Sequence, residues 1–189
     1  YKAFIIDIWG VLWDGLEPYE NSIATLKKLV SLNKPIILLS NAPRRSNLVS
    51  RRLKKIGIDD SCYDIIISSG EICRIKFLEN KHKVGKYGNT YYFIGQAADQ
   101  TITEFLPLTE TKNMQEANFL LVCGTRKFED NLEKYKNELD LALSLNLPLI
   151  CANPDKVVIR QTGELLICAG IMAEYYSSNG GIVYKFGKP

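Results

Sequence analysis

Histidine is nearly absent: His82 is the only one in 189 residues, set in a lysine-rich stretch that reads as an exposed connection. Histidine-dependent triads, phosphohistidine chemistry and His-rich zinc sites are thereby disfavoured. Cysteine is scarce too. The five present (Cys62, Cys73, Cys123, Cys151, Cys168) form no Cys-x-x-Cys pair. An odd number, mostly inside apolar runs, points to buried reduced thiols and a cytoplasmic protein. No Cys begins the loop of a cysteine phosphatase, and neither a Gly-x-x-x-x-Gly-Lys-Ser/Thr loop nor a Gly-x-Gly-x-x-Gly fingerprint occurs. No apolar run approaches a membrane span, and runs such as Phe119 to Cys123 are strand-sized. Tyr1 to Asp7 lack a secretory pattern, and with no initiator Met the natural start is expected upstream. A formal charge of +3 is too small to argue for nucleic acid. Arg44, Arg45, Arg51, Arg52, Lys54 and Lys55 cluster, but their helical spacing reads as a solvated helix face. Asp, Lys, Ser, Asn and backbone amides remain as the chemistry-bearing groups.

What is present alternates regularly. Residues 3–8 (AFIIDI), 35–39 (PIILL) and 64–68 (DIIIS) are short apolar runs expected to be buried strands. Between them, residues 21–32 place Ile23, Leu26, Leu29 and Val30 on one helical face, with Asn21 or Ser22 as the cap. Pro43 suits the first turn of a helix that ends near Lys55 before Gly57. A third helix is expected from Glu71 to about Leu78. Strands separated by helices indicate a parallel sheet covered on both faces. Ligands of such sheets sit beyond the carboxyl ends of the strands, which is where Asp7 and Ser40–Asn41 fall.

A polar stretch from His82 to Thr90, with Gly85 and Gly88, reads as a hinge. The rhythm then restarts. Strands are expected at Tyr91 to Ile94, Phe119 to Cys123 and Pro148 to Cys151. Helices are expected near Ala97 to Phe105, Asn131 to Leu145 and Gly170 to Ser177. Val157 to Arg160 and Leu165 to Cys168 suit a hairpin turned by Thr162–Gly163. Residues 182–186 (IVYKF) form a last strand before Gly187-Lys188-Pro189.

As pattern alone, Asp7 reads equally well as a loop cap and as a site residue. The wider string shifts this. Asp7-Ile8-Trp9-Gly10-Val11-Leu12 resembles the first motif of the haloacid-dehalogenase (HAD) superfamily, Asp-x-Asp-Gly-Thr/Val-Leu. Ser40-Asn41 is similar to its second motif, and Gly187-Lys188-Pro189 to the third motif of its class IIA members. Asn153-Pro154-Asp155, Gly163-Glu164-Leu165 and Cys168-Ala169-Gly170 resemble the cap end of the nitrophenyl-phosphatase and pyridoxal-phosphatase branch. The resemblance implies a Rossmann-like, doubly wound α/β core over residues 1–81. It implies an inserted type 2 α/β cap over 82–181, and a return to the core over 182–189. The rest of the core, with the fourth motif's acidic metal ligands, is expected beyond Pro189.

The resemblance also implies roles. Asp7 would attack phosphorus and form an aspartyl-phosphate. Mg2+ would be held by Asp7 and the Trp9 backbone carbonyl. Ser40 and Asn41 would hold the phosphoryl oxygens, and Lys188 would neutralise charge, though an exposed terminal lysine is the alternative. The family's second Asp, which protonates the leaving alcohol, is replaced by Trp9. Slow turnover follows, unless Asp14 substitutes as acid rather than merely forming a turn. Thr125, Arg126, Asn153 and Asp155 end cap strands and are expected either to line the substrate or to lie in surface loops. The expected partner is a small phosphorylated metabolite, with no nucleic acid or membrane, and with a homodimer through the cap as one arrangement. Two further readings stand beside the phosphatase. One is a non-catalytic descendant that keeps the pocket. The other is carbon–halogen cleavage, where an aromatic also occupies this position because halide leaves without a proton.

Overall fold

A computed structural model describes residues 1–79 and 88–188. The 81/82 boundary, most of the His82–Thr90 hinge and Pro189 lie outside the described residues.

The first part is a three-stranded parallel sheet of order β1-β2-β3: β1 (Phe4–Asp7), β2 (Ile36–Ser40) and β3 (Ile65–Ser68). Helices α1 (Ser22–Ser31), α2 (Ser46–Lys55) and α3 (Ser69–Leu78) connect and extend it. Its core is Ile8, Leu12, Leu26, Ile36, Leu38, Val49, Leu53 and Ile58. Each such aliphatic side chain contributes about 1.5–3 kcal/mol when removed from water. Among the described residues β1 ends this sheet, and its Ile5 is 70% exposed.

Two local expectations differ. Asn21 precedes α1 in the left-handed region (φ 62°) and makes no side-chain cap, while Ser22 Oγ donates to the Leu12 carbonyl. Pro43 does not open α2, which begins at Ser46. Residues 42–45 are held outside the helix by Ser68 Oγ donating to Arg44 O at 2.7 Å and by Gly70 N donating to Ala42 O. A Cβ on Gly70 would lie 2.3 Å from Arg44 N, so the close approach requires glycine.

The second part holds a five-stranded, all-parallel sheet of order β10-β7-β6-β4-β5. Its strands are β4 (Thr90–Ile94), β5 (Thr109–Thr111), β6 (Phe119–Val122), β7 (Leu149–Cys151) and β10 (Val183–Lys185). Alternation along the fully buried β6 divides two cores. Leu120 and Val122 face α4 (Glu133–Ser144) and α5 (Ala169–Ser178), while Phe119 and Leu121 pack with Cys73, Tyr91 and Ile102. The hairpin β8 (Val157–Ile159) and β9 (Leu165–Ile167) forms as expected, with Gly163 at φ 83°.

Three features here correct the sequence reading. The segment near 97–105 is one 3-10 helix, Ala97–Ile102. Edge strand β5 was not anticipated, because Thr-Glu-Thr carries no apolar signal. The last strand does not return to the first sheet: Val183 pairs with Leu149 and Lys185 with Cys151. Tyr184 and Phe186 pack into the second sheet's core, so among the described residues only Gly187 and Lys188 reach back. No helix among the described residues is long and apolar enough to cross a membrane.

Candidate functional site

Parallel pairing sets β1 and β2 side by side with Asp7 opposite Leu39, so Asp7 and Ser40 emerge at the same sheet end. The Ile8 amide donates to Asp7 Oδ1 at 2.7 Å, and Lys188 Nζ reaches the same oxygen at 2.6 Å. Ala42 N donates to Ser40 Oγ at 3.1 Å. Asn41, 6% exposed, donates through Nδ2 to Asp155 Oδ1 at 2.7 Å and accepts the Lys188 amide on Oδ1 at 2.7 Å. Its side chain therefore positions Lys188. Gly187 makes this approach feasible: it sits at φ 133°, and a Cβ there would lie 2.5 Å from Asn41 Oδ1 and 2.7 Å from Pro154 Cδ. Asp7, Ser40, Asn41 and Lys188 thus converge, as expected, on one cavity of about 600 Å3.

The loop after β1 is anchored by the buried Ile8 and Leu12. Trp9 donates Nε1–H to the Ile159 carbonyl of the hairpin at 3.2 Å and packs edge-on against Trp13. Asp14 is buried and fully engaged. Oδ1 accepts the Leu16 and Glu17 amides, each at 2.9 Å, and Oδ2 accepts the Gln161 amide at 3.1 Å. Those amides, Glu17 foremost, hold its carboxyl below the ordinary Asp value. Asp14 is therefore anionic and has no proton to give at neutral pH. The substitute-acid expectation is corrected: Asp14 forms the turn and ties down the hairpin loop.

Among the expected lining residues, Thr125, Asn153 and Asp155 border the cavity. Arg126 does not. Its guanidinium makes a bidentate pair with Glu138 on α4, 2.7 Å at each nitrogen, and lies over the Tyr135 ring. Glu138 raises its already high pKa further. The polar cavity residues that the sequence reading did not propose include Arg44, Arg52, Gln96, Asp99 and Arg160. Arg44 had been counted in a solvated helix face. It precedes α2, is 8% exposed, and places Nη2 at 2.7 Å from Asp99 Oδ1. Burial raises the Asp99 carboxyl above its ordinary value, opposed by Arg44. Burial, then the Arg44 cation, lowers Arg52, which is exposed on α2 at the cavity rim. Basic residues between two strand–helix units signal either a solvated face or an anion site, and only packing separates the two. Among the described residues no three acidic, histidine or cysteine side chains cluster as metal ligands.

Residues 4–138 match the model of the haloacid dehalogenase-like hydrolase family. A haloacid dehalogenase-like hydrolase from Brucella suis is 30% identical, with a TM-score of 0.90 over 100% of this chain and 67% of its own. A p-nitrophenyl phosphatase from Archaeoglobus fulgidus is 23% identical, with a TM-score of 0.69 over 97% of this chain and 67% of its own. A glycerol phosphate phosphatase from Mycobacterium tuberculosis, in complex with magnesium, is 16% identical, with a TM-score of 0.69 over 99% and 54%. The last two share the fold alone. No curated protein matches the chain. Parallel sheets with helices packed on them are thus the α/β fold the sequence led us to expect.

Proposed function

Since the chain belongs to the haloacid dehalogenase-like hydrolases, we propose that it is a Mg2+-dependent phosphatase of small phosphorylated metabolites. We assign it to the class IIA branch, with the second sheet and hairpin as a type 2 cap. One observation carries this reading: Lys188 Nζ stands 2.6 Å from Asp7 Oδ1, beside Ser40 and Asn41, in one cavity under the hairpin. Structural neighbours that are phosphatases, among them a p-nitrophenyl phosphatase and a glycerol phosphate phosphatase, support it.

Asp7 attacks phosphorus in line, the alkoxide leaves and takes a proton from water, and a second water cleaves the aspartyl-phosphate to phosphate and free Asp7, so one difficult step becomes two. Lys188 offsets charge on the nucleophile and the transferring group. Because Ser40 Oγ already accepts the Ala42 amide, its own hydroxyl proton is left for a phosphoryl oxygen. The Asp7 carboxylate and the Trp9 carbonyl are hard oxygen donors. Mg2+ is usually held by one or two carboxylates with phosphate oxygens and water, so this donor set fits. Bound there, the ion would offset the repulsion between carboxylate and phosphate.

The location follows the same proposal: all five cysteines are buried and unpaired, which suits a cytoplasmic protein. A homodimer through the cap, and the absence of nucleic-acid or membrane partners, belong to it as well.

One observation favours a second reading, a descendant that binds without turning over. Trp9 commits its indole N–H to Ile159, and Asp14 is held anionic. The deciding experiment is a screen of phosphate esters with the full-length protein and Mg2+, beside Asp7→Asn. Hydrolysis lost in Asp7→Asn supports the phosphatase. Equal rates in both proteins end that reading, and beryllofluoride captured on Asp7 without turnover would favour the second.

A further inference from the structure

The second sheet is all-parallel, with β5 on one side of β4 and β6 on the other. The chain passes from β4 to β5 and then returns across β4 to β6, so a crevice opens between the carboxyl ends of β4 and β6. Such switch points are where parallel sheets hold their ligands. The segments that follow these two strand ends, Gln96 on one and Cys123, Gly124 and Thr125 on the other, line the same cavity as Asp7 and Lys188.

Three polar groups of the second segment are uncommitted. Among the described residues the Thr125 hydroxyl makes no hydrogen bond, and the Gly124 and Thr125 amides meet no acceptor. Thr125 is only 5% exposed, yet its hydroxyl is not sealed as Arg160 Nε is, so the little surface it keeps includes Oγ1. Gly124, at φ 154°, has open space where a Cβ would stand, so this loop borders room rather than packed atoms. A threonine that serves structure alone turns its hydroxyl to the backbone, as Thr101 does to Ala98 O and Thr103 to Gln100 O, or stands in solvent. Thr125 does neither. Burying a hydroxyl without a partner works against stability. Native proteins rarely keep one so without a function.

Two N–H groups and one O–H match an oxygen that accepts. Asp155, beyond β7, lines the same cavity and offers a carboxylate, which accepts only. Its charge disfavours a second anion and suits O–H donors. Hydroxyl groups both accept and donate, so they satisfy both sides at once. We infer that the Gly124–Thr125 loop is a specificity-determining subsite that hydrogen-bonds a hydroxyl of the substrate's alcohol part, which makes that part an uncharged polyol rather than a bare alkyl or aryl group. The inference rests on the phosphatase reading, since it describes the leaving group of that reaction. Asp7, Ser40 and Lys188 handle the phosphoryl end, and the switch point of the second sheet handles the other.

Calorimetric titration of the full-length Asp7→Asn protein in the presence of Mg2+ tests this directly. The probes are two matched pairs: glycerol 3-phosphate against n-propyl phosphate, and glucose 6-phosphate against cyclohexylmethyl phosphate. At least one polyol ester is expected to bind about tenfold more tightly than its deoxygenated partner. Adding Thr125→Val is expected to cut that preference about three- to tenfold. Because Thr125→Val removes no internal hydrogen bond, the thermal midpoint of the unliganded protein should stay level or rise. Thr125→Ser keeps a hydroxyl and is expected to keep the preference. Equal binding within both pairs overturns the subsite, as does tighter binding of the deoxygenated members. A preference that survives Thr125→Val, or one lost equally in Thr125→Ser, overturns it too. So does a midpoint that falls in Thr125→Val, or failure of that protein to fold, since the hydroxyl would then already be bonded within the protein. Turnover is read separately. Failure of the wild type to hydrolyse any of these esters or p-nitrophenyl phosphate sinks the phosphatase reading, and the titration still judges the subsite.

Discussion

Trp9 donates its indole N–H to Ile159 and fills the space where a Cβ on Gly15 would fall 2.4 Å from its ring, so it serves as packing and as a tie to the hairpin. It has no acidic proton. General acid help is worth roughly a hundred- to ten-thousand-fold, and it matters most for leaving groups that depart poorly as anions. Trp9→Asp is therefore expected to raise kcat/KM for alkyl phosphates at least about tenfold more than for p-nitrophenyl phosphate. Equal changes for both esters would count against the missing-acid account. Gly187 is the other residue on which chemistry turns. Gly187→Ala forces its Cβ against Asn41 and Pro154 and so displaces Lys188 from Asp7. Misplacing a catalytic group by about 1 Å costs on the order of a hundredfold. Activity of Gly187→Ala should approach that of Lys188→Ala, while the far-ultraviolet dichroism stays native. Asp7 and Ser40 were legible in the sequence because each ends an apolar run at the carboxyl end of a strand. The burial of Arg44 was not, since a basic residue beside a basic helix carries no local mark of it.

The helices and strands were legible where apolar residues recur with period, and illegible where another element overrides local preference. α2 starts three residues after Pro43 because Ser68 and Gly70 hold the intervening backbone. The approach to α4 shows the same dependence in its energetics. Asp130 accepts the Lys127 amide at 3.1 Å, the Tyr135 hydroxyl and the Lys134 ammonium, and Tyr135 Oη in turn accepts the Arg126 amide at 2.6 Å. These contacts, Lys134 foremost, hold Asp130 at a pKa of about 2 against an ordinary 3.8. A carboxyl depressed on folding adds stability that is complete above its unfolded value and is lost as pH falls through its folded value. Urea midpoints of the wild type should therefore drop between about pH 4 and pH 2, and Asp130→Asn should show a shallower fall over that window. Parallel curves would remove Asp130 from the acid sensitivity of α4.

Among the described residues, several polar contacts besides the Lys188–Asp7 pair and the Arg74 bonds to Ile102 and Glu104 bridge the first sheet's unit and the segments beyond it. They include Trp9 to Ile159, Asp14 to Gln161, Asn41 to Asp155, Asn41 to Lys188, Ser69 to Ala152 and Arg44 to Asp99. Asn41 takes part in two of them from a buried position. Asn41→Ala leaves the Asp155 carboxylate and the Lys188 amide without that partner. A loss of about 1–3 kcal/mol of stability is expected from the stranded polar groups. It should come with a fall of about a hundredfold in kcat/KM from the misplaced Lys188. Thermal unfolding and ester kinetics on the same preparation check both, and a stability loss without the kinetic loss would show that Asn41 only clamps the units.

By itself the sequence determined the alternating α/β plan and the placing of Asp7 and Ser40 together. Apolar runs that end in polar residues, joined by helices, allow little besides a parallel sheet with those residues at one end. Tertiary structure alone decided that β10 joins the second sheet and that Asp14 spends its carboxylate on amides. It alone decided that Arg44 is taken out of solvent to face Asp99. Each of these outcomes depends on groups far apart in the chain coming within hydrogen-bonding distance. That approach is set by how separate cores pack against one another, which local residue preferences do not encode.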